Sequence, residues 1–297
     1  MSLKTLICAS GELGFTTLKA ISSRISIVGI LTDSSSHKII NWAAENKLPV
    51  FIGNPRTRKF SEDVLKLGII DLLLSINYLF IIEKDLIDIP HNLAINIHGS
   101  KLPKYRGRAP HIWAIINGEK SLGITVHKID EGCDTGDIII QKDIELSNQI
   151  TGGDVLKIFE IEYPTLLLYV LKSIENNTLK FQKQDHTQST YFEKRHPSDG
   201  NVSWEWEFDR ILNWTRALTS PYPGAFTFLR GKKILIWKVE KTGMKFDASE
   251  KNGRIIRIEN DLLFIKVPNK ILKITHFNKP EDLEIKVGDI FQGENTL

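Results

Sequence analysis

Asn96 and His98 close an apolar segment, Leu93–Ile97, that reads as a buried strand. Two positions apart on an extended chain, their side chains share one face. There an amide N–H can donate to an oxygen gaining negative charge, and an imidazole can donate a hydrogen bond or carry a proton. Taken alone, such a pair is more often structural than functional. The next residues, Gly99-Ser100 and then Leu102-Pro103-Lys104-Tyr105-Arg106-Gly107-Arg108-Ala109-Pro110, form a loop that lets backbone approach a ligand closely. Lys104, Arg106 and Arg108 within it either meet phosphate groups or stand in solvent. Further along, Asp130-Glu131-Gly132-Cys133-Asp134-Thr135-Gly136-Asp137 sets four acids around two glycines, a tight loop between strands. Its spacing does not fit a calcium-binding EF-hand. Cys133 has no evident partner base and reads as a packed small residue. Ser10-Gly11-Glu12-Leu13-Gly14 follows the first strand and opens a helix, where N–H groups can meet an anion. It lacks the full glycine fingerprint of a dinucleotide site, which argues against a dehydrogenase.

The elements that must position these residues alternate along the first half. Lys4–Ala9, Ile25–Thr32, Pro49–Ile52, Ile69–Ser75 and Leu93–Ile97 read as strands; Phe15–Ser22, His37–Lys47 and Ser61–Leu67 read as helices. This alternation predicts an α/β fold with a doubly wound, mostly parallel sheet. Gly123–Lys128 and Asp137–Lys142 read as an antiparallel extension, followed by a long helix, Asp154–Ile174, with Asp154 as its cap and a kink at Pro164. After a polar stretch, a helix over Glu207–Ala217 leads into short strands at Ala225–Leu229, Lys233–Glu240, Gly253–Glu259, Leu262–Val267 and Lys270–Phe277, the spacing of a small β-barrel or sandwich. The expected domains are residues 1–180 and 204–297, joined by a linker at 181–203.

Composition narrows the class. The chain has 297 residues, 39 Lys+Arg against 36 Asp+Glu, and two cysteines, Cys8 and Cys133. A net charge of +3 is too small to argue for a nucleic-acid protein. No apolar run reaches the ~18 residues of a membrane span. Two cysteines make neither a disulfide framework nor a zinc set, so no metal is expected and a reducing cytoplasm is. The N-terminal residues run directly into a strand-like segment, without the pattern of a secretory leader. Residues 230–245 carry six Lys or Arg and one acid, which is either a solvated barrel face or an anion-binding patch.

Taken together and in order, Asn96-Ile97-His98-Gly99-Ser100, the Leu102–Gly107 run and Asp134 resemble the folate-dependent formyltransferase family, which includes glycinamide ribonucleotide formyltransferase, methionyl-tRNA formyltransferase and the N-formyltransferases of nucleotide-linked amino sugars. Asp199-Gly200-Asn201-Val202-Ser203-Trp204 and Arg216–Phe226 resemble the C-terminal portion of the tRNA and sugar enzymes. The resemblance implies a Rossmann-like catalytic domain, an OB-like C-terminal barrel and N10-formyltetrahydrofolate as co-substrate. It assigns Asn96, His98 and Asp134 to catalysis. Asn77, Tyr78, Phe80, Ile81, Ile82, Asp130 and Glu131 fall on the segments that hold the pterin. Ser10 and Gly11 fall where the acceptor is lined, and Lys101, Arg106, Arg108 and Tyr222 are further candidates for substrate contact. In such a site a neutral amine attacks the formyl carbon, Asn96, and His98 if protonated, stabilise the oxygen, and Asp134 holds a charged or oriented His98; either Asp134 or His98 takes the proton. Homodimers are expected from the same resemblance.

The acceptor is read from two departures. The tRNA enzyme usually carries a long basic insertion after the second strand, where this chain has only Thr32–Lys38. Tyr222, in Ser220-Pro221-Tyr222-Pro223-Gly224, matches the sugar enzymes, whereas the tRNA enzyme often has Trp. Both favour a nucleotide-linked amino sugar, and the run Arg106–Pro110 with His111–Ile115 resembles the formyltransferases of 4-amino-4,6-dideoxy sugars, so the best reading is a UDP-linked 4-amino-4,6-dideoxy-N-acetylhexosamine and the next a dTDP-linked 4-amino sugar. The alternatives are methionyl-tRNA formyltransferase, a nucleic-acid-binding module and a catalytically silent folate sensor.

Overall fold

In the computed structural model, which describes residues 3–57 and 60–293, the chain forms two compact units. The first holds the residues up to Pro110, Leu122–Ile144 and Leu156–Phe192. The second holds His111–Ser121, Glu145–Val155 and the chain from Glu193 onward. The expected linker at 181–203 is thus shared out: 181–192 lie in the first unit and 193–203 in the second.

The first half runs β1 (Lys4–Ala9), α1 (Gly11–Ile21), β2 (Ser26–Thr32), α2 (His37–Glu45), β3 (Val50–Ile52), α3 (Ser61–Leu65), β4 (Leu72–Ile76), α4 (Lys84–Ile87), β5 (Leu93–His98), β6 (Arg106–Gly107), α5 (Pro110–Ile116), β7 (Ser121–Lys128) and β8 (Ile138–Glu145). Then come α6 (Gly152–Glu175), β9 (Tyr191–Phe192), α7 (Phe208–Leu218), β10 (Ala225–Leu229), β11 (Lys232–Lys241), β12 (Ile255–Glu259), β13 (Leu262–Val267) and β14 (Lys270–Asn278).

The first unit is built on a seven-stranded sheet of order β3-β2-β1-β4-β5-β7-β8. The pairs β3–β2, β2–β1, β1–β4 and β4–β5 are parallel, and β7 adds antiparallel to β5. All five residues of β4 and five of the six in β1 are buried, as near-continuous apolar strands must be when both faces are covered. Leu6, Cys8, Leu31 and Leu73 pack with Phe60, Val64, Ile82 and Leu86 on one side of the sheet. Strand order reverses between β1 and β4. The C-terminal ends of those strands therefore open a crevice, the usual ligand position in such sheets.

One local expectation is corrected. α6 is capped by Thr151, not Asp154: the Thr151 Oγ1 accepts from the Asp154 N–H at 3.1 Å while the Asp154 Oδ2 accepts from the Thr151 N–H at 3.1 Å, a reciprocal box with Asp154 as third residue. The helix runs through Pro164.

In the second unit α7 buries Phe208, Ile211, Trp214 and Leu218 and packs on β11. The antiparallel sheet has the order β10-β11-β14-β13-β12. Its two edges are joined by one terminal segment: Gln292 bridges to Phe228 of β10, and Ile290 bridges to Arg254 beside β12. Backbone bonds from Phe228 to Gln292 and from Ile255 to Asp289 complete the seam, so the sheet closes on itself. Part of the basic run is paired within this unit. Arg230 pairs with Asp289 at 3.2 Å, Lys232 with Asp282 and Lys238 with Glu240, and Lys233 sits over the Phe226 ring. These pairings favour the solvated-face reading of the run. No helix among the described residues is long and apolar enough to cross a membrane.

Leu73 is fully buried at the centre of the sheet. Leu73→Ala is expected to lower the unfolding free energy by about 2–5 kcal/mol, measured by urea denaturation.

Candidate active site

The crevice floor is organised by the loop after β1. Gly11 takes φ +66° and Asn77, after β4, takes φ 52°. Asn77 Nδ2 donates to the Ser10 carbonyl at 3.0 Å, and the Leu79 N–H donates to Ser10 Oγ at 3.3 Å. Gly11 N–H donates to Ser36 Oγ, whose own hydroxyl donates to Asp33 Oδ2 at 2.5 Å. Burial alone pushes the Asp33 carboxyl up, but hydrogen bonds from Ser35, Ser36 and Ser10 outweigh it and hold it below its usual range. Ser10 is fully buried, so its hydroxyl fixes the loop instead of facing an acceptor as the sequence suggested.

The three residues assigned to catalysis come together at the end of β5. Asp134 sits in the left-handed region at φ 54°, on the loop between β7 and β8. Its Oδ2 accepts from the Gly107 N–H at 2.9 Å and lies 3.7 Å from His98 Nδ1. Its Oδ1 lies 3.4 Å from Asn96 Nδ2. His98 Nε2 faces the Tyr105 carbonyl at 2.8 Å. A carbonyl only accepts, so Nε2 carries the hydrogen and Nδ1 is left toward the carboxylate. Burial by itself would push the Asp134 carboxyl up. The charges of His98 and His127, the His127 hydrogen bond and the Gly107 N–H reverse this and hold it well below the usual carboxylate range.

His127 is the site residue that the sequence reading missed. The β5–β7 register sets it directly opposite Asn96. It is 2% exposed, with Nε2 at 3.2 Å from Asn96 Nδ2 and 3.5 Å from Asp134 Oδ1. A signal was available: once β7 extends β5 antiparallel, a histidine just before the acidic loop falls beside the Asn-x-His strand end.

Asn96, His127 and Asp134 line a cavity of about 790 Å³ together with Phe80, Ile81, Ile82, Ile129, Asp130 and Glu131. Five of the seven residues expected to hold the pterin are therefore gathered around the expected reacting groups. Asn77 and Tyr78 are not among the lining residues; Tyr78 is buried in the apolar core. Asp130 shapes the loop by accepting from the Gly132 N–H and Thr135 Oγ1, and Glu131 pairs with Lys84 at 3.2 Å. Cys133 is exposed at this cavity, which corrects its reading as a packed residue. Partial desolvation first, then the Asp134 charge, pushes its thiol up to about 11, leaving it protonated at neutral pH.

The expected substrate cations have other tasks. Arg106 is 1% exposed, donating to Tyr191 Oη at 2.6 Å and Gln184 Oε1 at 2.6 Å, with His186 Nδ1 at 2.9 Å. Gln184 in turn donates to the Asp134 and Gly136 carbonyls at 2.9 and 2.7 Å. Arg106 thus braces the Asp134 loop from behind and is closed to a substrate phosphate. Lys101 forms an exposed pair with Asp143 at 2.8 Å, and Arg108 donates to the Leu79 carbonyl. Tyr222 belongs to the second unit, where its hydroxyl meets His111 Nε2 at 2.5 Å. Among the described residues no group of His, Cys, Asp and Glu is arranged to hold a metal ion.

Asn96, His98 and Asp134 thus converge at a strand end of an open α/β sheet, and comparison with known proteins gives the family. The formyl transferase family matches residues 16–170, and the formyl transferase C-terminal domain matches residues 194–295. The chain belongs to the formyl transferase family. It is 33% identical over 290 residues to the bifunctional polymyxin resistance protein ArnA of Wigglesworthia glossinidia brevipalpis, covering 92% of this chain but only 42% of that longer protein. It is 34% identical over 238 residues to the methionyl-tRNA formyltransferase of Ruminiclostridium cellulolyticum, covering 80% of this chain and 76% of that protein. The fold is also that of the N-formyltransferase from Helicobacter canadensis, solved with folinic acid and dTDP-3-aminofucose: TM-score 0.72, 20% identity, 93% of this chain and 100% of that one covered.

Gly107 takes φ +95°, and a Cβ there would stand 2.3 Å from the Phe192 carbonyl oxygen, while Gly68 at φ +84° has open space. Gly107→Ala is expected to lower the melting temperature clearly more than Gly68→Ala, which carries only the backbone cost of about 1–2 kcal/mol. Asp134 has a second consequence. Its carboxyl is lower in the folded than in the unfolded chain, so its contribution to stability is complete above about pH 4 and is lost as pH falls toward the folded value. Asp134→Asn is expected to flatten the acid limb of stability against pH in urea titrations.

Proposed function

We propose that this chain transfers a formyl group from N10-formyltetrahydrofolate to the amine of a nucleotide-linked amino sugar. The observation that carries this reading is the convergence of Asn96 and Asp134 on the cavity lined by Phe80, Ile81, Ile82, Asp130 and Glu131, with His98 against the Asp134 carboxylate. The lining fits a pterin: Phe80, Ile81, Ile82 and Ile129 offer apolar contact to a flat ring, and the 130–134 loop offers polar groups at its edge.

Folate supplies an activated formyl group bound to nitrogen. The residues of the chain then have distinct tasks. Asn96 presents an amide N–H to the formyl oxygen as negative charge builds there. Asp134, ionised and held by Gly107, stabilises a protonated His98 across the 3.7 Å gap. His98 keeps its Nε2 hydrogen on Tyr105, so any proton it exchanges with the reaction moves through Nδ1. The proton of the amine passes to Asp134, or to His98 Nδ1 when that nitrogen carries no hydrogen.

A nucleotide sugar is favoured over tRNA by the connection between β2 and α2. It is four residues, Asp33–Ser36, tied down by Asp33 to Ser35 and Ser36, and offers no basic arm to a polynucleotide. The preferred acceptor is a UDP-linked 4-amino-4,6-dideoxy-N-acetylhexosamine, on the resemblance of Arg106–Pro110 and Tyr222 to the sugar enzymes. The Helicobacter canadensis protein, solved with a dTDP-linked amino sugar, supports the acceptor class. The methionyl-tRNA formyltransferase relative supports the second reading.

The test is mass spectrometry after incubation with N10-formyltetrahydrofolate and a mixture of UDP- and dTDP-linked 3- and 4-amino sugars and unformylated initiator Met-tRNA. A formyl gain on a nucleotide sugar is expected; gain only on the tRNA selects the second reading, and no gain on any acceptor refutes both. Asn96→Ala is expected to cut kcat by about 10²–10³.

A further inference from the structure

His127 stands between the two groups the reaction needs, and the hydrogen count at its two nitrogens decides what it can do. Nδ1 lies 2.6 Å from the Lys128 carbonyl, which accepts only, so Nδ1 keeps its hydrogen in every state. The variable nitrogen is Nε2. It faces neighbours of opposite demand: Asn96 Nδ2 at 3.2 Å offers an N–H, and Asp134 Oδ1 at 3.5 Å offers lone pairs. Without a proton, Nε2 accepts from Asn96 and ties up an amide N–H. With a proton, it donates to Asp134 Oδ1 and can no longer accept, which releases that N–H.

We propose that His127 is a positioning residue whose protonation decides whether the Asn96 amide N–H is held internally or presented to the formyl oxygen. This rests on the formyl-transfer reading of the site. The groups facing the imidazole are few. Asp134, from the loop after β7, favours the protonated form; His98, on β5 with its ring centroid 6.5 Å away, opposes it when charged. Cys133 lies beside Asp134, and Asp130, Glu131 and Lys84 line the rest of the cavity. His127 does not serve as the base. The amine nitrogen gives up one proton as its bond to the formyl carbon forms, and the folate nitrogen gains one as its bond to that carbon breaks. His127 retains its own proton throughout.

The experiment combines NMR of the 15N-labelled full chain with kinetics. Between about pH 5 and about pH 9, His127 Nδ1 should stay protonated while Nε2 titrates, and the Asn96 Hδ2 resonances should shift along the same curve. His127→Gln, which offers Asn96 a permanent acceptor and no titrating proton, should lower kcat about 10- to 100-fold, leave KM for folate nearly unchanged and lose the alkaline fall in kcat that follows the His127 titration. Asn96 resonances that stay still while His127 titrates overturn the proposal. So does a His127→Gln enzyme with the wild-type kcat and pH profile. If no acceptor is formylated at all, the transfer reading fails, while the NMR coupling still decides between a linked and an unlinked His127–Asn96 pair.

Discussion

A carboxylate taken out of water loses several kcal/mol of solvation unless charges and N–H groups replace it, and the arrangement around Asp134 follows from that requirement. Gly107 supplies the N–H, His98 and His127 approach one oxygen each, and Asn96 reaches the same oxygen as His127. Each of these residues is fixed in turn by something farther out. Gly107 is held in a short parallel pair with Phe192, and Gln184, bonded to Arg106, grips the Asp134 carbonyl. The short strand β9 and the polar stretch before it thus earn their place as a brace for a charge. Remove the charge and there is little reason for Arg106 to be buried, for Gly107 to be glycine, or for two histidines to share a strand pair with one asparagine.

Much of this was legible in the sequence, because the fold's signals are local. Continuous apolar runs such as Leu72–Leu74 can only be strands covered on both faces, and their alternation with helices forces the parallel sheet. The Asn-x-His pair was legible for the same reason: it ends such a run, and strand ends face the crevice. The acidic loop declared itself by its glycines.

What sequence could not deliver were tasks fixed by long-range pairing. His127 acquires meaning only from the β5–β7 register, which no local pattern states. Arg106 has the composition of a phosphate contact, yet lies beneath the loop because Gln184, His186 and Tyr191, some eighty positions later, close over it. The basic run of the second unit stayed ambiguous in sequence for the same reason, since two of the acids that pair with it, Asp282 and Asp289, come from a distant turn. Charge read along a chain counts groups; charge in the folded state counts neighbours.

The closed sheet of the second unit has a consequence for the order in which the chain can become structured. Both of its edges, β10 and β12, are sealed by residues 288–292, which follow all five strands along the chain. Until those residues leave the ribosome, the five strands can pair with one another but not complete the circle. During that interval two unpaired strand edges are open to other chains, the form of exposure that leads nascent proteins to associate wrongly. Residues 288–292 therefore act as a latch on the closed sheet.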